Sequence, residues 1–323
     1  FSMRGMSSIE SATISAMGHL LSFTGTDTIP AIYQLESSYN ATGLIGASVP
    51  ATEHSVMCMG TKESEIETFK RLLDLYPEGI LSVVSDTWDL WKVCTEYLPQ
   101  LKEEIFARNG KLVIRPDSGD PVDIVCGTKH LLDGKPFTPQ SYKACQEHKT
   151  CQEYKTWEEW TPEDKGVIEL LWDTFGGTIN EQGYKVLDSH IGAIYGDSIT
   201  TDRAIQICKR LKAKGFASTN IIFGVGSFTY QYNTRDTFGF AMKATYVEVD
   251  GEGREIFKDP ITDDGTKKSA TGLLSVHNHD GEYVLVDRCT WEGEEVSSLQ
   301  TIYKDGEFHN TTTLSEIRER LKK

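Results

Sequence analysis

Six short apolar runs each end in residues able to do chemistry: GTDT (25–28), SVPATEH (48–54), SVVSDTWD (82–89), VIRPDSGD (113–120), IYGDS (194–198) and IIFGVGS (221–227). Arg115 and Asp117 stand two apart at a predicted strand end, so their side chains share one face. Arg115 can donate to a carbonyl or phosphate. Asp117 can accept from ribose hydroxyls or hold a magnesium-bound substrate, with Gly119 permitting close approach; a buried Arg–Asp ion pair is the structural alternative. His54 follows Glu53 after an apolar run, and Asp89 on another loop can orient its ring; a packed histidine is the plainer reading. Asp27 can cap a helix beginning at Thr28 or accept from a ligand amide. Gly226 and Ser227 offer backbone N–H groups to a phosphate. Arg235, Lys243, Lys258 and Lys267 follow them and can neutralise further phosphates or simply be solvated.

The elements between these clusters explain why they matter together. Ser7 or Ser8 can cap a helix running to about Leu21. The pattern predicts a helix over 61–76, where Ile66, Phe69, Leu72, Leu73 and Tyr76 form one apolar stripe and Ser64 with Glu67 a capping box. Strands are expected at 80–84, 112–114 and 221–223, and helices at 89–97 and 199–214, the last stopped by Gly215. This βα alternation predicts a parallel sheet, and the number of units favours a closed or nearly closed β/α barrel. The carboxyl ends of parallel strands face one rim, so the six loops converge on one pocket.

Residues 127–190 break the rhythm with Pro136, Pro139, Pro162, many Glu and Lys, and Trp157 and Trp160. They read as a surface insertion with a short helix near 167–175, anchored by the tryptophans. From about Thr245 the grammar changes. Asp250-Gly251, Asp280-Gly281 and Asp305-Gly306 each sit between β-prone runs, and Asp-Gly suits type I′ hairpin turns. A last helix begins near Thr313, with Glu316 completing a capping box. The chain thus divides into a barrel over 1–244, with the insertion, and a β-rich lobe over 245–323.

A chain of 323 residues with 38% hydrophobic and 25% charged residues is of ordinary globular composition. No apolar run reaches membrane-spanning length. The net charge of −15 argues against nucleic acid or an anionic membrane as partner, though not against a small anionic substrate. Seven scattered cysteines suit thiols in a reducing, cytoplasmic compartment. Cys145, His148 and Cys151 offer half a zinc site with no second pair. FSMRG (1–5) runs straight into functional-looking residues, so a further segment is expected upstream.

The ordered set FSMRG, GTDT, SVPATEHS, SVVSDTWD, RPDSGDP, GDS, FGVGS, TRD and FKDP resembles the nicotinamide-specific type II phosphoribosyltransferases over nearly the whole chain. The match covers that family's barrel and carboxyl-terminal part, not its amino-terminal part. The resemblance implies condensation of nicotinamide with phosphoribosyl pyrophosphate to nicotinamide mononucleotide and pyrophosphate, with magnesium bound through substrate phosphates. It implies that Phe1 stacks on the pyridine ring, that Asp27 takes the carboxamide N–H, and that Arg115 and Ser85 lie near the carboxamide oxygen. Arg4 would contact phosphate. Asp117, Gly196 and Asp197 would hold the ribose, and Gly226 and Ser227 its 5′-phosphate. His54 would be phosphorylated by ATP with Asp89 as its partner. Arg235, Lys243, Lys258 and Lys267 would serve phosphates, partly across a homodimer interface. Ser227 stands where the family pattern has a second glycine, and the family's second stacking aromatic lies in the region not matched.

Three other readings compete. Nicotinate phosphoribosyltransferase shares the fold, but Asp27 would repel a carboxylate. A metal-dependent barrel hydrolase using His54, Asp27, Asp117 and Asp197 would bring several histidines to the strand ends, where only one can be placed. A catalytically silent nucleotide-binding barrel is the third.

Overall fold

The computed structural model describes residues 1–128, 131–132, 135–136, 160–234, 237, 242–258, 260–262 and 269–322. Its centre is a parallel sheet of Glu78–Val84 (β1), Asn109–Arg115 (β2), Ile191–Tyr195 (β3) and Ile221–Phe223 (β4), in that spatial order. Val83 pairs with Ile114, Ile114 with Ala193, and Ala193 with Ile221. Leu81, Val83, Val84, Leu112, Val113, Ile114, Ile191, Ala193 and Tyr195 are all buried. Such near-continuous apolar runs are what a sheet covered on both faces requires.

Two extended stretches continue the parallel pairing beyond β1. Ala51 bridges Ser82 and Ala47 bridges Gly25, supported by Ser82 N–H to the Pro50 carbonyl (2.9 Å) and Thr52 N–H to the Ser82 carbonyl (3.0 Å). Beyond β4, Ser2 N–H donates to the Val225 carbonyl at 2.9 Å. Phe1 N donates to the Gly25 carbonyl at 2.9 Å, and Asp27 N–H to the Phe1 carbonyl at 2.9 Å.

The helices follow from their patterns. Ile9–Leu20 (α1) is capped by Ser8 in a capping box with Ser11. Ile29–Tyr39 (α2) starts after Thr28, with Pro30 in its first turn, where a missing N–H costs nothing. Glu65–Leu75 (α3) buries Phe69, Leu72 and Leu73. The capping box expected at Ser64 does not form, because the Ser64 hydroxyl donates back to the Gly60 carbonyl. The helix expected over 89–97 is longer and irregular: Leu90–Lys92, a π turn over Val93–Tyr97, then Leu98–Gln100. The π turn ends just before Pro99, whose missing N–H interrupts the α ladder.

Val167–Phe175 (α4) buries Val167, Ile168, Glu169, Leu170, Leu171 and Phe175. This part of the expected surface insertion is therefore core, because its apolar residues cover more than one helix face. Trp160 is buried as well. Thr201–Ala213 (α5) is capped by Thr200 and buries Ile207 and Leu211. Its end places Lys214 in the core. Lys214 Nζ is 2.5 Å from Glu169 Oε2 and donates to the carbonyls of Cys126 (2.8 Å) and Lys165 (2.7 Å). It also lies 5.8 Å from the Trp160 ring centroid. Trp157 and the Cys145, His148 and Cys151 group lie outside the described residues.

The chain divides into two compact units, Phe1–Met242 with Lys258–Lys267, and Lys243–Phe257 with Lys268–Lys323. The return of Lys258 and of residues 260–262 to the first unit is not legible in the sequence pattern. The second unit contains three antiparallel hairpins turning at Asp250-Gly251, Asp280-Gly281 and Asp305-Gly306. All six turn residues have positive φ, as type I′ turns demand. Leu314–Arg320 (α6) is capped by Thr313 with Glu316 in a capping box.

Candidate active site

The carboxyl ends of β1 to β4 carry Ser85 and Asp86, Asp117 and Ser118, Gly196 and Asp197, and Gly224 to Ser227. Tyr195, the last residue of β3, gathers several of them. Its hydroxyl donates to the Gly119 carbonyl at 2.9 Å. Burial first, then the charges of Asp197, Asp117, Asp86 and Asp120, raise the Tyr195 phenol above its ordinary range. The charges of carboxylates from three separate loops thus act on one buried hydroxyl.

The β3 and β4 ends meet through glycine. A Cβ on Gly224 would lie 2.8 Å from Gly196 Cα, and one on Gly226 would lie 2.8 Å from the Ser2 carbonyl oxygen. Ser227 is buried and begins the short helix Ser227–Gln231. Phe1 is buried beside this turn. Its ring meets Tyr230 edge-on, with centroids 5.1 Å apart, and lies 6.0 Å from His19. Tyr230 escaped the sequence reading because nothing in its spacing marks it. Arg4 is exposed in the following turn.

Asp27 does not cap α2; the cap position is Thr28. Its Oδ1 accepts from the Ser48 hydroxyl at 2.6 Å, and the residue is exposed. Ser48 opens the SVPATEH cluster, a signal the sequence carried without showing its direction. Arg115 Nη1 donates to the Thr52 carbonyl at 3.4 Å, which tethers it to the neighbouring extended stretch. Ser85 is fully buried, and its hydroxyl donates to the Val83 carbonyl at 2.7 Å.

The partner of His54 differs from the expected one. His54 Nε2 lies 3.1 Å from Asp86 Oδ1, not against Asp89. Asp89 instead accepts from Lys92 N–H at 3.0 Å and caps the helix that starts at Leu90. Both aspartates sit in SVVSDTWD, and only the helix start three residues later decides between them. Asp86 Oδ2 accepts from the Ser118 hydroxyl, which is hydrogen-bonded to the Thr262 hydroxyl. Lys258 Nζ lies 3.4 Å from His54 Nε2. Burial would raise the Asp86 carboxyl, but hydrogen bonds from His54 and Ser118 and the charges of His54 and Lys258 outweigh it and hold Asp86 at about 2. A second acid behaves oppositely: burial, then the charge of Asp89, pushes Glu65 up to about 8 against Lys62 and Lys92. Its Oε1 is buried without a hydrogen-bond partner among the described residues.

Lys243 is exposed and belongs to the second unit. Arg235 and Lys267 lie outside the described residues. Among the described residues no three His, Cys, Asp or Glu side chains gather as a metal site, and no helix is long and apolar enough to cross a membrane.

A parallel α/β sheet with acids, an imidazole and glycine turns at its carboxyl rim defines the class of protein, an α/β fold of the kind whose ligand sites lie at that rim. The chain belongs to the nicotinate phosphoribosyltransferase (NAPRTase) family, whose model matches residues 1–320. It is 51% identical to a nicotinamide phosphoribosyltransferase of Acinetobacter baylyi over 99% of this chain and 60% of that protein. Proteins of the same name from Mycoplasma pneumoniae and Xanthomonas campestris are 43% and 34% identical, over 86% and 98% of this chain and 53% and 61% of their own lengths. The chain therefore spans about three fifths or less of these relatives.

Proposed function

We propose that the protein condenses nicotinamide with phosphoribosyl pyrophosphate to give nicotinamide mononucleotide and pyrophosphate, a step of NAD salvage. The observation that carries this reading is Asp27, an acceptor fixed by Ser48 at 2.6 Å and tied through its N–H to Phe1. A carboxylate so held favours a carboxamide, which donates, over a nicotinate, which is repelled. Phe1 supplies an aromatic face, and Arg115 a cation for the amide oxygen. Asp117 and Asp197 accept from ribose hydroxyls, and the Gly226–Ser227 turn donates to the 5′-phosphate. Arg4, Arg235, Lys243, Lys258 and Lys267 are assigned to phosphates, those remote from the rim through a homodimer with shared pockets.

The pyridine nitrogen carries no proton, so no general base is needed. The site has to place that nitrogen against C1 of the ribose and stabilise the departing pyrophosphate. Magnesium, when bound, neutralises the pyrophosphate charge. Separate carboxylates at the rim suit an ion held mainly by substrate phosphates, which is how magnesium usually binds. His54 is the site at which ATP phosphorylates the protein. Cys94, Cys126, Cys208 and Cys289 are thiols, which supports a reducing, cytoplasmic setting.

We also read the sheet as a closed barrel. Backbone hydrogen bonds run from β4 through Val225 and Ser2 to Phe1 and Gly25, then through Ala47 and Ala51 to Ser82 of β1, which supports closure.

Product analysis with nicotinamide and nicotinate in parallel, each with phosphoribosyl pyrophosphate and magnesium, tests the assignment. Nicotinamide should be converted far better, and Asp27→Ser should narrow the ratio. Equal use of both bases by the unmutated protein refutes it.

A further inference from the structure

We propose that Thr262 is a positioning residue: it fastens residues 260–262 to the turn after β2 and so keeps the Lys258 ammonium beside the ring of His54. The inference rests on the phosphohistidine reading above and adds to it the contact that sets a cation in place. Between Lys258 and Thr262 the chain touches three separate loops. Lys258 Nζ lies 3.4 Å from His54 Nε2. Ile261 N–H donates to the Trp88 carbonyl, beyond β1, at 3.3 Å. The Thr262 hydroxyl meets that of Ser118, beyond β2. Gly119 permits this approach, since a Cβ there would lie 3.0 Å from the Thr262 carbonyl oxygen.

The direction of the Thr262 bond follows from its neighbour. Ser118 is fully buried and gives its one proton to Asp86 Oδ2. Toward Thr262 it can only accept, so Thr262 donates. The side chain of Ile261 is 54% exposed, so its burial does little to hold the segment. Pro260 is buried and its φ is fixed by its ring. A displacement at 262 is therefore passed on toward 258 rather than absorbed there. A lysine loses much rotamer freedom when its head is held, and a backbone anchored nearby lowers that loss. In the assigned step the terminal phosphoryl group of ATP passes to an imidazole nitrogen. The N–P bond forms, the bond to the bridging oxygen breaks, and ADP leaves with its electron pair. An ammonium kept beside the ring neutralises the phosphoryl oxygens that arrive there.

Thr262→Val tests the anchor, because it removes the hydroxyl, keeps the shape and leaves the Ser118–Asp86 bond in place. In the intact protein without nucleotide, the Ile261 amide should exchange roughly 3–10-fold faster. Thr262→Ser should restore the parent rate. In protein labelled with 15N-histidine, Lys258→Met should displace the His54 ring signals. Thr262→Val should displace them in the same direction, and should add nothing once Lys258 is Met. With labelled ATP and magnesium, phosphorylation of His54 should slow roughly 3–10-fold in Thr262→Val and roughly 10–100-fold in Lys258→Met. The double variant should be no slower than Lys258→Met, whereas a general loosening of the fold would slow both backgrounds alike. Unchanged Ile261 exchange in a folded Thr262→Val overturns the proposal, and so do His54 signals that respond to Thr262→Val equally with and without Lys258. If His54 takes no label in the unmutated protein, the phosphohistidine reading fails, and the exchange and ring signals still decide whether Thr262 places Lys258.

Discussion

The parallel-sheet unit and the hairpin unit are specified in different ways. In the first, β1, β2, β3 and β4 come from chain segments far apart, and residues 81–84, 112–114 and 191–193 of the first three are buried. In the second, each hairpin pairs residues a few positions apart across an Asp-Gly turn, and all of Glu282–Val286 is exposed. Non-local pairing must be stabilised by burial before it holds, whereas a two-residue turn sets its own register. Most of the described candidate residues lie where pairing is non-local, because there side chains from distant loops meet, as Asp27 meets Ser48 and His54 meets Asp86.

Hydrogen exchange should separate the two regions most strongly. Amides of 112–114 should exchange at least roughly a thousandfold more slowly than those of 282–286, since core strands open only with global unfolding. Equal protection would erase the distinction.

The buried ion pair comes next. Lys214→Met strands Glu169 in the core without its cation and should destabilise the first unit by about 3–5 kcal/mol in a denaturant titration. The double change Lys214→Met with Glu169→Leu should recover most of that loss. A single variant with unchanged midpoint would show that the pair contributes nothing.

Two acids give the first unit opposing pH dependences. Glu65 has a folded-state value of about 8 against an ordinary 4.5, so the unfolded chain ionises first and stability falls as pH rises from about 4.5 to 8. Glu65→Gln should flatten that fall by on the order of 2 kcal/mol between pH 5 and 8. Asp86 titrates at about 2 when folded against an ordinary 3.8. Its contribution is full above about pH 4 and vanishes as pH drops toward 2, a loss of about 2 kcal/mol that Asp86→Asn should remove from the acid limb. Stability curves measured across pH 2–8 read both effects, and matching slopes in variant and parent would refute the assignment.

The smallest effect belongs to the hairpins. Gly281 has φ +94 and open space around its missing Cβ, so Gly281→Ala brings backbone strain without a clash. It should cost about 1 kcal/mol, confined to exchange rates in 275–286. Any change in the sheet amides would contradict the separation of the two regions.

Short-range patterns alone determined the three Asp-Gly hairpins, the Thr313–Glu316 capping box and the stop of α5 at Gly215, because each depends on neighbours within a few residues. The rim was legible too: apolar runs ending in polar clusters mark the strand ends of an α/β sheet, and the ordered motifs point to the family. What the tertiary structure decided are choices between equals. SVVSDTWD holds two aspartates. The helix beginning at Leu90 claims Asp89 as its cap, which leaves Asp86, closer to the strand end, for His54. Ser48 and Asp27 carry no mark of their pairing, since 21 residues separate them. Glu169 and Lys214 look like surface charges until α4 and the end of α5 pack together and shut out water. A side chain's partner across space depends on how distant elements stack, and burial, hydrogen bonding and charge are settled only once they have.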